Sequence, residues 1–158
     1  MSTHTISVFV ENHSGALSRI AGLFSSRGYN ISSLTVAETE NPAVSRMTIV
    51  VSGDESVLEQ VNKQLNRLID VIKVIDFDDD LVIDRELLVV RVDVSKSSRV
   101  ELINLSQVYD GRVAALTPTS ITIELTNTTE KIDEFIALAR GYGIKELIRS
   151  GKLAMAKK

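Results

Sequence analysis

A chain of 158 residues with 44% hydrophobic and 4% aromatic content can bury an aliphatic core, as one ordinary domain or as two small ones. Its net charge of -3 divides unevenly, with 6 basic and 11 acidic side chains in residues 1–80 against 12 and 10 in residues 81–158, and neither half has the basic field that nucleic-acid binding needs. The absence of cysteine excludes disulfides, thiol catalysis and thiolate metal sites.

No run approaches the roughly 18 apolar residues of a membrane span. The start, MSTHTISVFVENHSG, has no basic region followed by a signal-type apolar segment. The expectation is a soluble cytoplasmic protein that binds neither membrane nor nucleic acid.

HTISVFVE alternates as a strand, with Ile6, Val8 and Val10 on one face. Leu17, Ile20, Ala21 and Phe24 then recur at helical spacing, and Gly28 suits a left-handed helix end. NISSLTVAET predicts a second strand with Ile31, and Leu34 or Val36, facing inward. A loop with Asn41-Pro42 precedes a third strand, VSRMTIVVSG. Val57, Leu58, Val61, Leu65 and Leu68 mark a second helix, capped by Asp54 or by the pair Ser52 and Glu55. VIKVIDF closes the unit, so its order is β-α-β-β-α-β.

DFDDDLVIDR is a charged break, and residues 78–84 are expected as an acidic linker between domains at 1–77 and 85–158. The rhythm then repeats. ELLVVRVDV is a strand, and Ser98 with Glu101 predicts a capping box for a helix carrying Val100, Ile103 and Val108. GRVAALTP and TSITIELT are strands joined through Pro118. Asn127 and Glu130 open a helix that presents Ile132, Phe135, Ile136 and Ala139, and GIKELIRSG supplies the last strand. The fold class is α+β, with two ferredoxin-like βαββαβ domains in tandem, each a four-stranded antiparallel sheet with both helices on one face. The uncovered face and edge strands make dimerisation the physical expectation.

Chemistry is sparse. His13 lies in the strand-to-helix turn near Glu11 and Ser14, but no third group is evident to orient it as a catalytic base. Asp76, Asp78, Asp79, Asp80 and Asp84 lack the glycine and terminal glutamate of an EF-hand loop, so no metal site is expected. Lys63, Arg67 and Lys73 form an ordinary weakly basic surface. ENHSGALSR has neither dinucleotide nor P-loop glycine spacing. Its Gly15 nevertheless permits close backbone approach, and a helix start offers unpaired N–H groups to a carboxylate. Asn12, with Asn30 at the next strand, adds donor and acceptor groups suited to an amino-acid zwitterion or to a local cap.

The segments VFVENHSGALSRIAGLFSSRGYNISSLTVAET, SRMTIVVSGDE and LEQVNKQLNRLIDVIKV closely resemble the small, regulatory subunit of acetolactate synthase, also called acetohydroxyacid synthase. RELLVVRV and KIDEFIALARGYGIKELIRSG carry the resemblance into the second domain, where the AMAKK ending departs from the family pattern. The resemblance implies that the first domain is an ACT domain, pairing with its mate into an eight-stranded sheet. It implies a branched-chain effector, generally valine, at that interface, with Asn12, Gly15, Ala16 and Leu17 on one protomer and Asn30 and Ile31 on the other. Catalysis would belong to a large subunit carrying thiamine diphosphate, magnesium (Mg2+) and a flavin (FAD), none of them held by this chain. The alternative is a stand-alone ACT-type amino-acid sensor regulating another enzyme.

Overall fold

The protein is described by a computed structural model covering residues 2–77 and 81–158. Two compact units emerge: one runs to Ile83 and also takes in Lys152–Lys158, and the other spans Asp84–Gly151. Asp78, Asp79 and Asp80 of the expected linker lie outside the described residues. Val82–Asp84, also expected as linker, are extended chain at the start of a strand.

In the first unit β1 (Thr3–Glu11), α1 (Ala16–Arg27), β2 (Asn30–Glu38), β3 (Val44–Ser52), α2 (Glu55–Asn66) and β4 (Val71–Asp76) follow the expected order. The sheet runs β2-β3-β1-β4, with antiparallel neighbours throughout. Ile6 lies opposite Ile49 and Val8 opposite Met47, which places these side chains on one face beneath Ile20 and Phe24 of α1 and Leu58, Val61 and Leu65 of α2. Asp54 caps α2 by accepting from Val57 N at 3.0 Å.

Two expectations shift. The buried stripe of α1 is Ala16, Ile20 and Phe24, with Leu23 partly buried, while Leu17 and Ala21 are exposed. Apolar residues at 16, 17, 20, 21, 23 and 24 describe two adjacent stripes, and packing buries the one centred on Ile20 and Phe24. In β2 the register shifts between Ile31 and Ser33, so the alternation changes parity. Beyond the bulge Leu34 lies opposite Ile49 and Val36 opposite Met47, on the helix side. They stay 37% and 42% exposed because β2 is an edge strand.

The second unit contains β5 (Val82–Asp93), α3 (Lys96–Val108), β6 (Arg112–Leu116), β7 (Ser120–Asn127), α4 (Thr129–Ala139), a 3-10 turn over Arg140–Tyr142 and β8 (Ile144–Arg149). Its four-strand path, β6-β7-β5-β8, repeats the order of the first. Ile132, Phe135, Ile136 and Ala139 of α4 are buried as the spacing predicts. The caps move. Ser95 and Ser98 form the box on α3, in place of Ser98 and Glu101, and Thr128 caps α4, while Asn127 instead donates to Tyr109 O. Leu102 is buried on α3, whereas Val100 and Val108 face solvent.

One strand has no counterpart in the expected plan. β9 (Leu153–Ala156) and its preceding residue fold with the first unit, over the sheet face opposite its helices. Lys152 Nζ donates to Thr5 Oγ1 at 3.1 Å, Lys152 N donates to Ser33 Oγ at 2.9 Å, and Thr35 Oγ1 donates to Lys152 O. Arg46 donates both to Ser7 Oγ and to Ala154 O, and Ala154 is buried. Thr5, Ser7 and Thr48 therefore end up buried on this face. No helix among the described residues is long and apolar enough to cross a membrane.

Phe24 is 1% exposed and meets Tyr29 edge-on, with ring centroids 6.2 Å apart. Phe24→Ala should cost about 3–5 kcal/mol of the first unit's stability. Urea unfolding followed by circular dichroism should show a lower midpoint with an unchanged native spectrum.

Candidate functional site

The chain leaves β1 at Glu11 and enters α1 at Ala16 through Asn12–Gly15. Asn12 fixes the turn to its neighbours: its N–H donates to Ala43 O at 2.8 Å, and its Nδ2 donates to Glu38 Oε1 at 3.0 Å and Pro42 O at 2.8 Å. Gly15 stands at the N-cap with φ 89° and ψ -11°, a left-handed conformation that side chains disfavour. It has no side chain to offer the helix, so α1 begins with no side-chain cap, whereas α2, α3 and α4 each have one. Amides left without such a partner at a helix start can receive an anion.

Beneath the turn is a cluster of charges. Asp70, just before β4, has a side chain only 2% exposed. Arg19 of α1 grips it with Nε to Oδ2 at 2.5 Å and Nη2 to Oδ1 at 3.1 Å, a bidentate pair. His13 Nε2 lies 2.8 Å from Asp70 Oδ1 and 3.2 Å from Glu11 Oε2, and His13 Nδ1 lies 3.2 Å from Ser14 O. The hydrogen bonds from Arg19, with the positive charges of Arg19 and His13, hold the Asp70 carboxyl below the ordinary carboxylate range despite its burial. His13 is raised, by its contact with the Ser14 carbonyl and then by the charge of Asp70 and the hydrogen bond to Glu11.

This geometry removes the catalytic role weighed for His13. Its partners are two carboxylates and a carbonyl, none of them a nucleophile awaiting a base. The ligand atoms of Glu11, His13 and Asp70 lie within 4.8 Å of one another, a spacing that a cation could share. The Arg19 guanidinium, however, already engages both oxygens of Asp70, so the group is a closed ion-pair cluster.

Both halves of the chain match family models: residues 6–73 match an acetohydroxyacid synthase small subunit-like ACT domain, and residues 85–158 match the small subunit of acetolactate synthase. The chain is 49% identical to a probable acetolactate synthase small subunit from Methanothermobacter thermautotrophicus, over 98% of this chain and 93% of the relative. It is 44% identical to the acetolactate synthase isozyme 3 small subunit of Escherichia coli, over 96% of this chain and 94% of that one. The crystal structure of the acetolactate synthase small subunit from Thermotoga maritima superposes with a TM-score of 0.90 at 32% identity, covering 100% and 99% of the two chains. The chain belongs to the acetolactate synthase small-subunit family. That family is the regulatory part of the holoenzyme and is not itself catalytic.

For a member of this family, the expected site residues fall into two groups. Asn12, Gly15, Ala16 and Leu17 share the helix-start turn, with Ala16 buried and Leu17 43% exposed. Asn30 and Ile31 stand elsewhere. Asn30 pairs with Ser52, which pairs with Thr3, so Asn30 marks the β1-start end of the sheet, whereas Glu11 and Asn12 mark the other. Within one chain the groups are thus separated by about eight strand residues, on the order of 26 Å. Ile31 is partly buried against the core. Sequence reasoning missed Arg19 and Asp70, since only the local fourfold spacing from Gly15 hints at Arg19 and nothing local marks Asp70.

A Cβ on Gly15 would come 2.9 Å from Arg19 Nη1, and the backbone there is left-handed. Gly15→Ala should cost about 1–2 kcal/mol through backbone strain. The paired variant Gly22→Ala, at a helical site with nothing within 4 Å of the added carbon, should be neutral or stabilising in the same urea titration.

Proposed function

We propose that this cytoplasmic protein activates a large acetolactate synthase subunit and confers feedback inhibition by a branched-chain amino acid, valine in the first instance. In this reading the catalytic subunit carries thiamine diphosphate, magnesium and FAD, and two copies of the present chain form the effector sites. The supporting observation is the way the two groups of site residues divide between the ends of one edge strand. Among the described residues β2 has no neighbour on its outer side, and a two-fold antiparallel pairing of β2 with its mate about Leu34 would set Asn30 of the partner subunit opposite Glu38. Asn12 already donates to Glu38, so the partner's Asn30 and this protomer's turn would line one cleft.

The chemistry of that cleft suits an amino acid. The start of α1, with no side-chain cap, faces a carboxylate, asparagine carbonyls accept from an ammonium, and Leu17 with the partner's Ile31 supplies an aliphatic wall. Activation and inhibition then require linkage between this cleft and the catalytic subunit, and the linkage is reciprocal in binding free energy.

The dimer is tested first. Leu34 is 37% exposed on the edge strand, and Leu34→Lys should place a charge in the shared sheet and leave a species of 17.4 kDa in sedimentation equilibrium, where the wild type is twice that mass. A monomeric wild type would remove the intersubunit site.

Reconstitution tests the function. The small subunit alone should form no acetolactate, and mixing it with its cognate large subunit should raise activity and make it valine-sensitive. No stimulation would point to a stand-alone ACT-type sensor, and stimulation without inhibition would show that valine is the wrong effector.

A further inference from the structure

We infer that His13 and Asp70 are positioning residues of the effector turn, which they hold in its binding form when the His13 imidazole carries both protons. The inference rests on the proposal that this turn receives an amino-acid carboxylate. It adds a proton-dependent element to the site.

The geometry of the ring carries the inference. Its Nε2 faces Asp70 Oδ1 and Glu11 Oε2, and its Nδ1 faces Ser14 O. Carboxylates and carbonyls only accept hydrogen bonds. A neutral imidazole has one N–H, so one of its two sides would present a lone pair to an acceptor. The imidazolium satisfies both sides together. In that form His13 bridges Ser14, inside the turn, to Asp70, outside it.

Asp70 is suited to be the fixed end of the bridge. Its carboxylate is buried and held by both guanidinium bonds from Arg19, and its backbone oxygen accepts from Glu11 N at 2.9 Å. One residue therefore touches the end of β1, the first turn of α1 and, through His13, the turn between them. Arg19 also lies over Gly15, where an added Cβ would meet it, so the pair shapes the backbone that the effector approaches.

The charged groups facing His13 are Glu11 at the end of β1, Arg19 on α1 and Asp70 before β4. With the imidazole protonated these four side chains sum to zero, and with it neutral they sum to -1. A bound carboxylate is favoured by the first state on charge as well as on order. His13 is raised from its ordinary value of 6.5, so the latch is fully present below that value and is lost as pH rises through the folded value.

The test uses the full chain and L-valine, with affinities measured calorimetrically at about pH 6 and about pH 8, on either side of an ordinary histidine. The wild type should bind about fivefold more weakly at the higher pH, the net size of one typical intramolecular hydrogen bond. His13→Gln, at an exposed position, should fold normally and show the weaker affinity at both pH values. Asp70→Asn should bind more weakly at both, and the His13 ring, followed by NMR, should titrate closer to its ordinary value than in the wild type. A wild type that binds valine without the pH slope, a His13→Gln protein that keeps the slope, or a His13 titration unmoved by Asp70→Asn would each overturn the inference. Failure of the wild type to bind valine at either pH is a different result, because it overturns the effector proposal on which the inference rests.

Discussion

Two helices can cover only one face of a four-stranded sheet, and the rest of this molecule is arranged around that shortfall. In the first unit the helices enclose Ile6, Val8, Met47 and Ile49, which leaves a second face bearing Thr5, Ser7, Phe9 and Thr48. Such a mixture cannot close by apolar packing alone, because buried hydroxyls need partners. Lys152 and the strand that follows it meet this need with both backbone and side-chain groups, and Arg46 lies over the Phe9 ring at 4.8 Å while bonding to Ser7 and Ala154. The second unit answers differently. Its corresponding face carries the ion pairs Arg91–Glu146 and Lys145–Asp93, and Arg112 with Glu124, which tolerate water.

The same shortfall bears on the helix-start turn. A short unit with a bare edge has little apolar surface to spare for fixing a loop. The turn is held instead by polar contacts: Asn12 to Glu38 and Pro42 on one side, and the Arg19–Asp70 pair with His13 on the other. The residue left at the N-cap is then a glycine, which contributes conformation and no hydrogen-bonding side chain. Capping α1 with serine or aspartate would be the simpler local solution. The structure forgoes it at the start of α1 alone among α1 to α4.

Much of this was legible in the residues, and the parts that were not share a cause. Ile132, Phe135, Ile136 and Ala139 offer a single stripe, so α4 had one way to pack. On α1 two adjacent stripes compete, and local spacing cannot choose between them. Ser95 and Ser98 both suit an N-cap, and only the backbone conformation, extended at Ser95, decides which one fills it. The tandem βαββαβ order was readable throughout, since each strand and helix carries its own period. The Arg19–Asp70 pair was not, because its partners lie 51 residues apart and ion pairing has no periodicity. Of the expected site, the sequence grouped Asn12, Gly15, Ala16 and Leu17 as neighbours, but within one chain Asn30 and Ile31 stand at the opposite end of the sheet.

The return of Lys152–Lys158 to the first unit makes the second unit, in topological terms, an insertion: the chain departs at Ile83 and comes back after Gly151. Closing so long an excursion costs only modestly more than closing a short one, since the entropy grows with the logarithm of loop length. The arrangement decouples position along the gene from position in the fold. A stop codon at position 152 would leave the second unit's strands whole and strip the strand Leu153–Ala156 from the face of a sheet begun at the third residue.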